Sequence, residues 1–298
     1  MSLSIIIPAK NEAQNLKLLL PEIRSRHPQA ELIVVDDGST DTTRDIAVSS
    51  GARCIRHNYS VGNGGAIKTG ARAASGEILV FLDGDGQHQP EDIQKLLDQK
   101  KLGFDMVIGA RSSKSQASFG RLVANRLYNR FASIMTGRTI KDLTSGFRAV
   151  DARKFKQFLY LLPNGFSYPT TITMAFFRSG YQVDYFPITT LPRSGHSKIS
   201  IFRDGVRFLL IILKIGALFS PMRLFLPISM AMFFTGIGYY LYTFITSGRF
   251  TNMSALLITS ALLVFLIGIV SEQISSLHYR DAKVDSLDIV DSQTVDKD

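Results

Sequence analysis

The 298-residue chain is short of the residues that build cross-links and metal clusters. Its single cysteine, Cys54, excludes an intramolecular disulfide and any cysteine-cluster metal site. Its five histidines form no HExxH or HxxxH pair, which argues against a histidine-dominated zinc site. It has no tryptophan, so any motif that requires one is excluded. The N-terminus lacks the pattern of a secretory signal peptide: the short apolar run Ser4–Pro8 is followed at once by Lys10, Asn11 and Glu12. The first 200 or so residues are therefore expected to stay in the cytoplasm. Charged residues are not scarce at 20%, and 20 Phe and 10 Tyr argue against global disorder.

Charge is nearly absent from two stretches near the C-terminus. Leu224–Ile245 and Thr251–Ser271 contain no charged residue. A hydrocarbon core of roughly 30 Å needs about 20 apolar residues of helix, so each stretch is long enough to span it. Pro227, Gly236 and Gly238 are tolerated in such helices. Arg203, Arg207, Lys214 and Arg223 precede the first span and Arg280 and Lys283 follow the second, while the short link carries only Arg249. The distribution of basic residues predicts both termini on the cytoplasmic side. Within Ser200–Ser220, Arg203, Arg207 and Lys214 fall within about 40° of one another on a helical wheel. This predicts an interfacial helix at residues 200–221 with its basic stripe toward lipid phosphates, before a two-helix region at 222–278. The tail at 279–298 has six Asp against Arg280, Lys283 and Lys297, a net −3, and is expected to be disordered. With +9 overall, the rest of the chain carries +12, which suits an anionic membrane or phosphate substrates. No nucleic-acid partner is expected.

Residues 1–199 read as alternating strands and helices. Apolar strands are predicted at Leu3–Pro8, Glu31–Asp36, Arg53–His57, Ile78–Asp83 and Asp105–Gly109. Helices are predicted at Glu12–Ser25, Thr40–Ser50 (capped by Ser39 or Thr40), Gly64–Ala74 and Pro90–Lys100. Continuous apolar strands alternating with helices indicate an α/β fold, a mostly parallel sheet covered on both faces. Ligands bind such sheets beyond the carboxyl ends of the strands, and polar clusters occur at those points. Asp36-Asp37-Gly38-Ser39-Thr40-Asp41 can accept from a ribose hydroxyl or a base N–H, or can be turn and cap chemistry. Asp83-Gly84-Asp85-Gly86-Gln87-His88 offers two hard carboxylates at a strand end, a donor set suited to Mg2+ or Mn2+ shared with a diphosphate. Asn63-Gly64-Gly65-Ala66-Ile67-Lys68 either opens a helix N-terminus toward a pyrophosphate or is a glycine-rich turn.

Taken in order, Pro8-Ala9-Lys10-Asn11-Glu12, Val35-Asp36-Asp37-Gly38-Ser39-Thr40-Asp41 and Asp83-Gly84-Asp85-Gly86-Gln87 resemble the GT-A glycosyltransferases of family 2. Gly109-Ala110-Arg111, Asp142-Leu143-Thr144-Ser145-Gly146-Phe147-Arg148 and Arg193-Ser194-Gly195-His196-Ser197-Lys198 resemble the dolichol-phosphate mannosyltransferase branch. The resemblance covers residues 3–200 or so, and the two spans fit membrane-anchored members of the branch. Asp-Gly-Asp-Gly stands where the branch often has Asp-Ala-Asp-Leu.

The resemblance implies a Rossmann-like GT-A domain and a role for each motif residue. Pro8, Glu12, Asp37, Lys68 and Asp83 would hold the nucleotide sugar. Asp83, Asp85 and Gln87 would surround Mg2+ or Mn2+. Arg111, Arg121 and Ser197 would bind the acceptor phosphate. Asp85, Arg111, Arg193 and Lys198 would carry the catalysis. Asp142 either shapes the acceptor site or caps a helix. The implied reaction moves a hexose, mannose or glucose, from a GDP-mannose or UDP-glucose type donor to a polyprenyl phosphate, with inversion. A bacterial inner membrane is the expected location, and a homo-oligomer is compatible with two short spans. A processive polysaccharide synthase would carry Gln-x-x-Arg-Trp, which a chain without tryptophan cannot. Other readings are a family 2 transferase acting on another membrane acceptor, such as a lipid-linked sugar, and a non-catalytic partner that binds lipid phosphate.

Overall fold

The structure is a computed structural model that describes residues 2–111, 119–165, 168–190, 214 and 216–278, with the side chains of 119–125 outside the description. Apart from Lys214 and residues 216–221, the expected interfacial helix lies outside the described residues, as do the tail and Arg193, Ser197 and Lys198. The chain divides into two compact units. Met1–Ala132 with Thr139–Lys198 form one, and Ser133–Arg138 with Ile199–Asp298 form the other.

The first unit is a seven-stranded sheet. Its strands are β1 (Leu3–Ala9), β2 (Glu31–Asp36), β3 (Arg53–Arg56), β4 (Ile78–Phe81), β5 (Met106–Arg111), β6 (Arg148–Asp151) and β7 (Val183–Ile188), in the order β3-β2-β1-β4-β6-β5-β7. All pairings are parallel except those of β6, which runs antiparallel to both neighbours, Phe81 and Ile108 each opposing Arg148. The sheet is thus mixed. Neither β6 nor β7 was predicted. β6 is four residues long with charged ends, too short for a periodic signal. β7 contains Pro187, which the sheet tolerates because β7 is an edge strand.

Helices α1 (Ala13–Arg26), α2 (Thr43–Ser49), α3 (Asn63–Ala73), α4 (Glu91–Lys100), α5 (Phe119–Thr136), α6 (Ala152–Lys156) and α7 (Tyr168–Arg178) connect and cover the strands. Leu16, Leu19, Leu20 and Ile23 of α1 and Ile93 and Leu96 of α4 share one cluster with Ile5, Ile7, Val34, Val80 and Val107. Each such fully buried side chain contributes roughly 1.5–3 kcal/mol. The alternate strand residues face α3, and Gly70 lets that helix sit directly on them: a Cβ there would lie 2.4 Å from Ile6 Cγ2.

The second unit is a hairpin of two 27-residue helices, α8 (Pro221–Ser247) and α9 (Asn252–His278). Both are long and apolar enough to cross a membrane, and the charge-free stretches of the sequence fall on them. Gly248, at φ 62°, ends α8 in the left-handed conformation that glycine adopts without strain. The helices meet through small residues. A Cβ on Gly236 would lie 3.0 Å from Ile258, and one on Gly268 would lie 2.9 Å from Phe225. Ser229 Oγ donates to the Ala261 carbonyl at 2.8 Å, and the Met222 amide donates to Glu272 Oε2 at 3.2 Å. Within the second unit, which includes residues 133–138, Arg223 donates to the carbonyls of Ile134 and Met135.

Candidate active site

The carboxyl ends of β1, β2 and β4 meet at a cleft of about 450 Å3 lined by Pro8, Lys10, Glu12, Asp37, Ser60, Gly62, Asn63, Ala66, Asp83 and Asp85, among others. Backbone and side-chain bonds sew the β1 and β2 loops together. The Asp37 amide donates to the Ala9 carbonyl, the Asn11 amide to Ser39 Oγ, and the Glu12 amide to Thr43 Oγ1. Asn11 adopts φ 57°, costly for a residue with a side chain, and its Oδ1 accepts from the Thr40 amide at 2.8 Å. Ser39 is thereby used between loops rather than as a helix cap. α2 starts later than predicted, at Thr43, whose amide and hydroxyl donate to Asp41 Oδ1.

The two carboxylates at the end of β2 are engaged within the protein, Asp36 by its own loop and Asp37 by the segment that follows β3. Asp36 is buried, and its Oδ1 accepts from the Ser39 amide. Asp37 accepts from His57 Nδ1 at 2.8 Å, Ser60 Oγ at 2.7 Å, the Val61 amide at 2.8 Å and the Gly62 amide at 2.9 Å. Burial alone would raise the Asp37 carboxyl, but these donors prevail and hold it down at about 2. His57 in turn contacts Thr69 Oγ1 at 2.9 Å. Asp37 thus lines the cleft while fixing the wall that runs through Ser60–Gly62. His57 went unnoticed in the sequence because no local pattern announces a partner 20 residues away.

The glycine-rich segment at the start of α3 is explained by packing. The Gly64 and Gly65 amides donate to the carbonyls of Gly165 and Asn164, and a Cβ on Gly64 would lie 2.1 Å from the Pro163 carbonyl oxygen. Of the two readings of this segment, the packing supports the glycine-rich turn, because amides bonded within the protein are not presented to a ligand. Lys68 Nζ donates to the Leu162 carbonyl at 3.0 Å, and Lys68 is not among the residues lining the cleft.

Asp83 and Asp85 follow β4 and both line the cleft. The Gln87 amide donates to Asp85 Oδ1 at 3.1 Å and closes the turn; Gln87 itself is not a lining residue. No group of three or more His, Cys, Asp or Glu residues is gathered for a metal among the described residues. The donor set is therefore two hard carboxylates, which fits a divalent cation that completes its shell with substrate phosphates and water. Gly146 leaves room beside this pair, since a Cβ there would come within 3.0 Å of Asp83 Oδ2. His88 is buried behind it, stacked on Phe147 at 4.9 Å with Nε2 3.9 Å from Asp83 Oδ2. Burial lowers its pKa to about 4, so the imidazole is neutral near pH 7.

At the end of β5, Arg111 and Asp142 form a two-pronged ion pair. Nε donates to Oδ2 at 2.8 Å and Nη2 to Oδ1 at 3.0 Å, with Thr144 Oγ1 also accepting from Nη2. Burial would raise the Asp142 carboxyl, but the Arg111 guanidinium lowers it. Nη1 is left without a partner among the described residues, so the planar group is held by one edge and offers the other. Asp142 caps no helix. It holds an arginine, a role invisible in sequence because the pair is 31 residues apart. Arg121 lies on α5, but its side chain is outside the described residues.

Comparison with known proteins agrees with this architecture. The family model described as Glycosyl transferase family 2 matches residues 4–159, and one described as GtrB C-terminal hairpin matches 220–277. Glycosyltransferase AglJ of Haloferax volcanii is 29% identical over 94% of this chain and 95% of its own length. The polyprenol monophosphomannose synthase of Mycolicibacterium smegmatis is 31% identical over 66% of this chain and 80% of its own. The undecaprenyl-phosphate mannosyltransferase of Micrococcus luteus is 32% identical over 67% and 88%. Among solved structures, glucosyl-3-phosphoglycerate synthase from Mycobacterium tuberculosis, in complex with Mn2+, UDP and glucosyl-3-phosphoglycerate, superposes with a TM-score of 0.55 at 22% identity, covering 71% of this chain and 79% of that one. At that identity the likeness is one of GT-A fold. The family match spans more than half of the chain and includes both carboxylates after β4, and on that ground the chain is a glycosyltransferase and belongs to glycosyl transferase family 2.

Proposed function

We propose that the chain transfers a hexose, mannose or glucose, from a GDP- or UDP-sugar to a polyprenyl phosphate at the cytoplasmic face of a membrane, with inversion at the anomeric carbon. The observation that carries the reading is the joining, in one chain, of a cleft bearing Asp83 and Asp85 to a hairpin of two membrane-length helices. A lipid acceptor is found only in the bilayer, so a hairpin anchored there provides proximity. The relatives named for polyprenol and undecaprenyl phosphate support the acceptor class.

Asp83 and Asp85 would hold Mg2+ or Mn2+, which when bound supplies charge stabilisation for a departing nucleotide diphosphate. Pro8 and Glu12 shape the nucleoside end of the cleft, and Asp37 holds its wall. The acceptor needs little general base, because a phosphate monoester has its second pKa near 6 and is mostly ionised at pH 7. The task left to the protein is to bring two anions together. The open edge of Arg111 suits a phosphate oxygen, held in place by Asp142. Arg121, Arg193, Ser197 and Lys198 are proposed to complete the acceptor site.

The test is incubation of detergent-purified full-length protein with Mg2+ or Mn2+, polyprenyl phosphate and a panel of labelled GDP- and UDP-sugars. Label should enter the organic phase from one donor, and EDTA should abolish the transfer. Asp85→Asn should lower it at least roughly 100-fold, the scale set by losing one preorganised electrostatic group. Nucleotide release without transfer would mean a different acceptor. Neither release nor transfer would favour a non-catalytic role.

A further inference from the structure

Arg148 opens β6, the antiparallel strand inserted between β4 and β5, and is 0% exposed. A guanidinium taken wholly out of water costs several kcal/mol unless it is paired. Among the described residues no carboxylate lies within ion-pair distance of Arg148, and its partners are neutral. Nη2 donates to the Ser145 carbonyl. Nη1 donates to the Pro169 carbonyl and to Thr173 Oγ1, each at 3.2 Å, and the group lies 5.9 Å from the Tyr168 ring centroid. Arg148 Nε, Ser145 Oγ and Tyr185 Oη are buried without partners among the described residues. An apolar side chain in the middle of a sheet would avoid all of these costs.

What Arg148 touches suggests what it does. Its two ends join the turn leading into β6 to the first turns of α7. Ser145 lies three residues after Asp142, and the Thr144 amide donates to Asp142 Oδ1 at 3.0 Å, closing that turn. Asp142 then grips Arg111 with both oxygens. A continuous path runs from the buried guanidinium through Ser145 and the turn to Asp142 and the open edge of Arg111. The same path passes Gly146, packed beside Asp83. The carboxylates whose fields reach Arg148 are Asp142 and Asp83.

We propose that Arg148 is a positioning residue for the acceptor phosphate: fastened to α7, it sets the 142–147 turn and so aims Arg111. This rests on the polyprenyl-phosphate reading above. It requires no contact between Arg148 and substrate. It separates Arg148 from a merely structural cation, whose loss would lower the amount of folded protein and leave the substrate constants unmoved.

The experiment uses full-length Arg148→Met, Arg148→Lys and Thr173→Val, alone and with Asp142→Asn, assayed with polyprenyl phosphate and the active sugar nucleotide. Arg148→Met should raise the acceptor KM by roughly tenfold, the scale of one charge-assisted hydrogen bond, with the donor KM within about twofold. Arg148→Lys should restore part of the loss, and Thr173→Val should give about a threefold rise. In the Asp142→Asn background, Arg148→Met should add less than about twofold, because both act through one turn. Effects that multiply, or a fall in kcat with the acceptor KM unmoved, would overturn the proposal. Should Arg148→Met fail to fold, an unmoved acceptor KM in both Arg148→Lys and Thr173→Val overturns it equally. A wild type that moves no label to polyprenyl phosphate overturns the functional reading and this inference together. An active wild type with normal variants overturns this inference alone.

Discussion

In the sheet-bearing unit the most completely shielded side chains are branched aliphatics and aromatics, such as Ile5, Ile6, Val34 and Phe81. In the hairpin of α8 and α9 they include Ser229, Thr243, Ser254 and Ser275, with Ala261, while Phe234, Leu241, Ile245, Leu263 and Val270 are exposed. Each unit hides what its surroundings would reject. The sheet unit removes apolar surface from water and gathers Asp37, Asp83 and Asp85 at strand ends, where they line the cleft. The hairpin turns large apolar side chains outward and brings its backbones together over glycine and serine, the arrangement favoured where the surroundings are themselves apolar and burial of hydrocarbon offers no gain. The lesson is that outward-facing chemistry, more than hydrophobic content, distinguishes an enzyme domain from its anchor.

The comparison can be broken most strongly at Asp37, the point where the sheet unit concentrates four donors on one carboxylate. Asp37→Asn should destabilise the protein by about 3 kcal/mol at neutral pH, since an amide cannot accept from all four donors. In wild type, the contribution of this carboxylate is present above the ordinary carboxyl range and is lost as pH falls toward about 2, because folding lowers its pKa. Thermal unfolding between pH 5 and pH 2 should show a shallower acid dependence in the variant. An unchanged profile would mean that the four donors do not favour the ionised form.

The hairpin offers a smaller and cleaner break. Gly236→Leu should cost about 2 kcal/mol by forcing α8 away from Ile258, whereas Gly238→Leu, where a Cβ would meet nothing within 4 Å, should be close to neutral. Unfolding of the two variants in the same detergent would compare them directly, and equal losses would refute the helix contact. The smallest effect is expected at Ser229→Ala, roughly 0.6 kcal/mol, typical of a hydrogen bond between helices in an apolar medium. A loss above about 2 kcal/mol would mean that the hairpin relies on polar contacts as heavily as the strand ends do.

Much of this was legible without coordinates. The apolar runs of β1, β2 and β4, the helical spacing of α1 and α4, the Asp-x-Asp after β4 and both hairpin helices follow from local composition and periodicity. Those signals are short-range, and burial or membrane length enforces them directly. What the sequence could not reveal depends on residues far apart in the chain. Ser39, Lys68 and Asp142 all have side chains that suit several tasks, and their partners, Asn11, Leu162 and Arg111, are brought to them only by the folded sheet.

The amino-acid sequence by itself determined that β1 to β5 are strands, that two segments form membrane-length helices and which acidic pair ends β4, because backbone geometry and solvent preference act residue by residue. Tertiary structure alone decided that β6 enters antiparallel between β4 and β5, that Asp37 is gripped by the segment after β3, and that Arg148 lies buried beneath the turn that holds Arg111. Hydrogen bonds and ion pairs are specific only when both partners are in place, and that placement is a property of the whole fold.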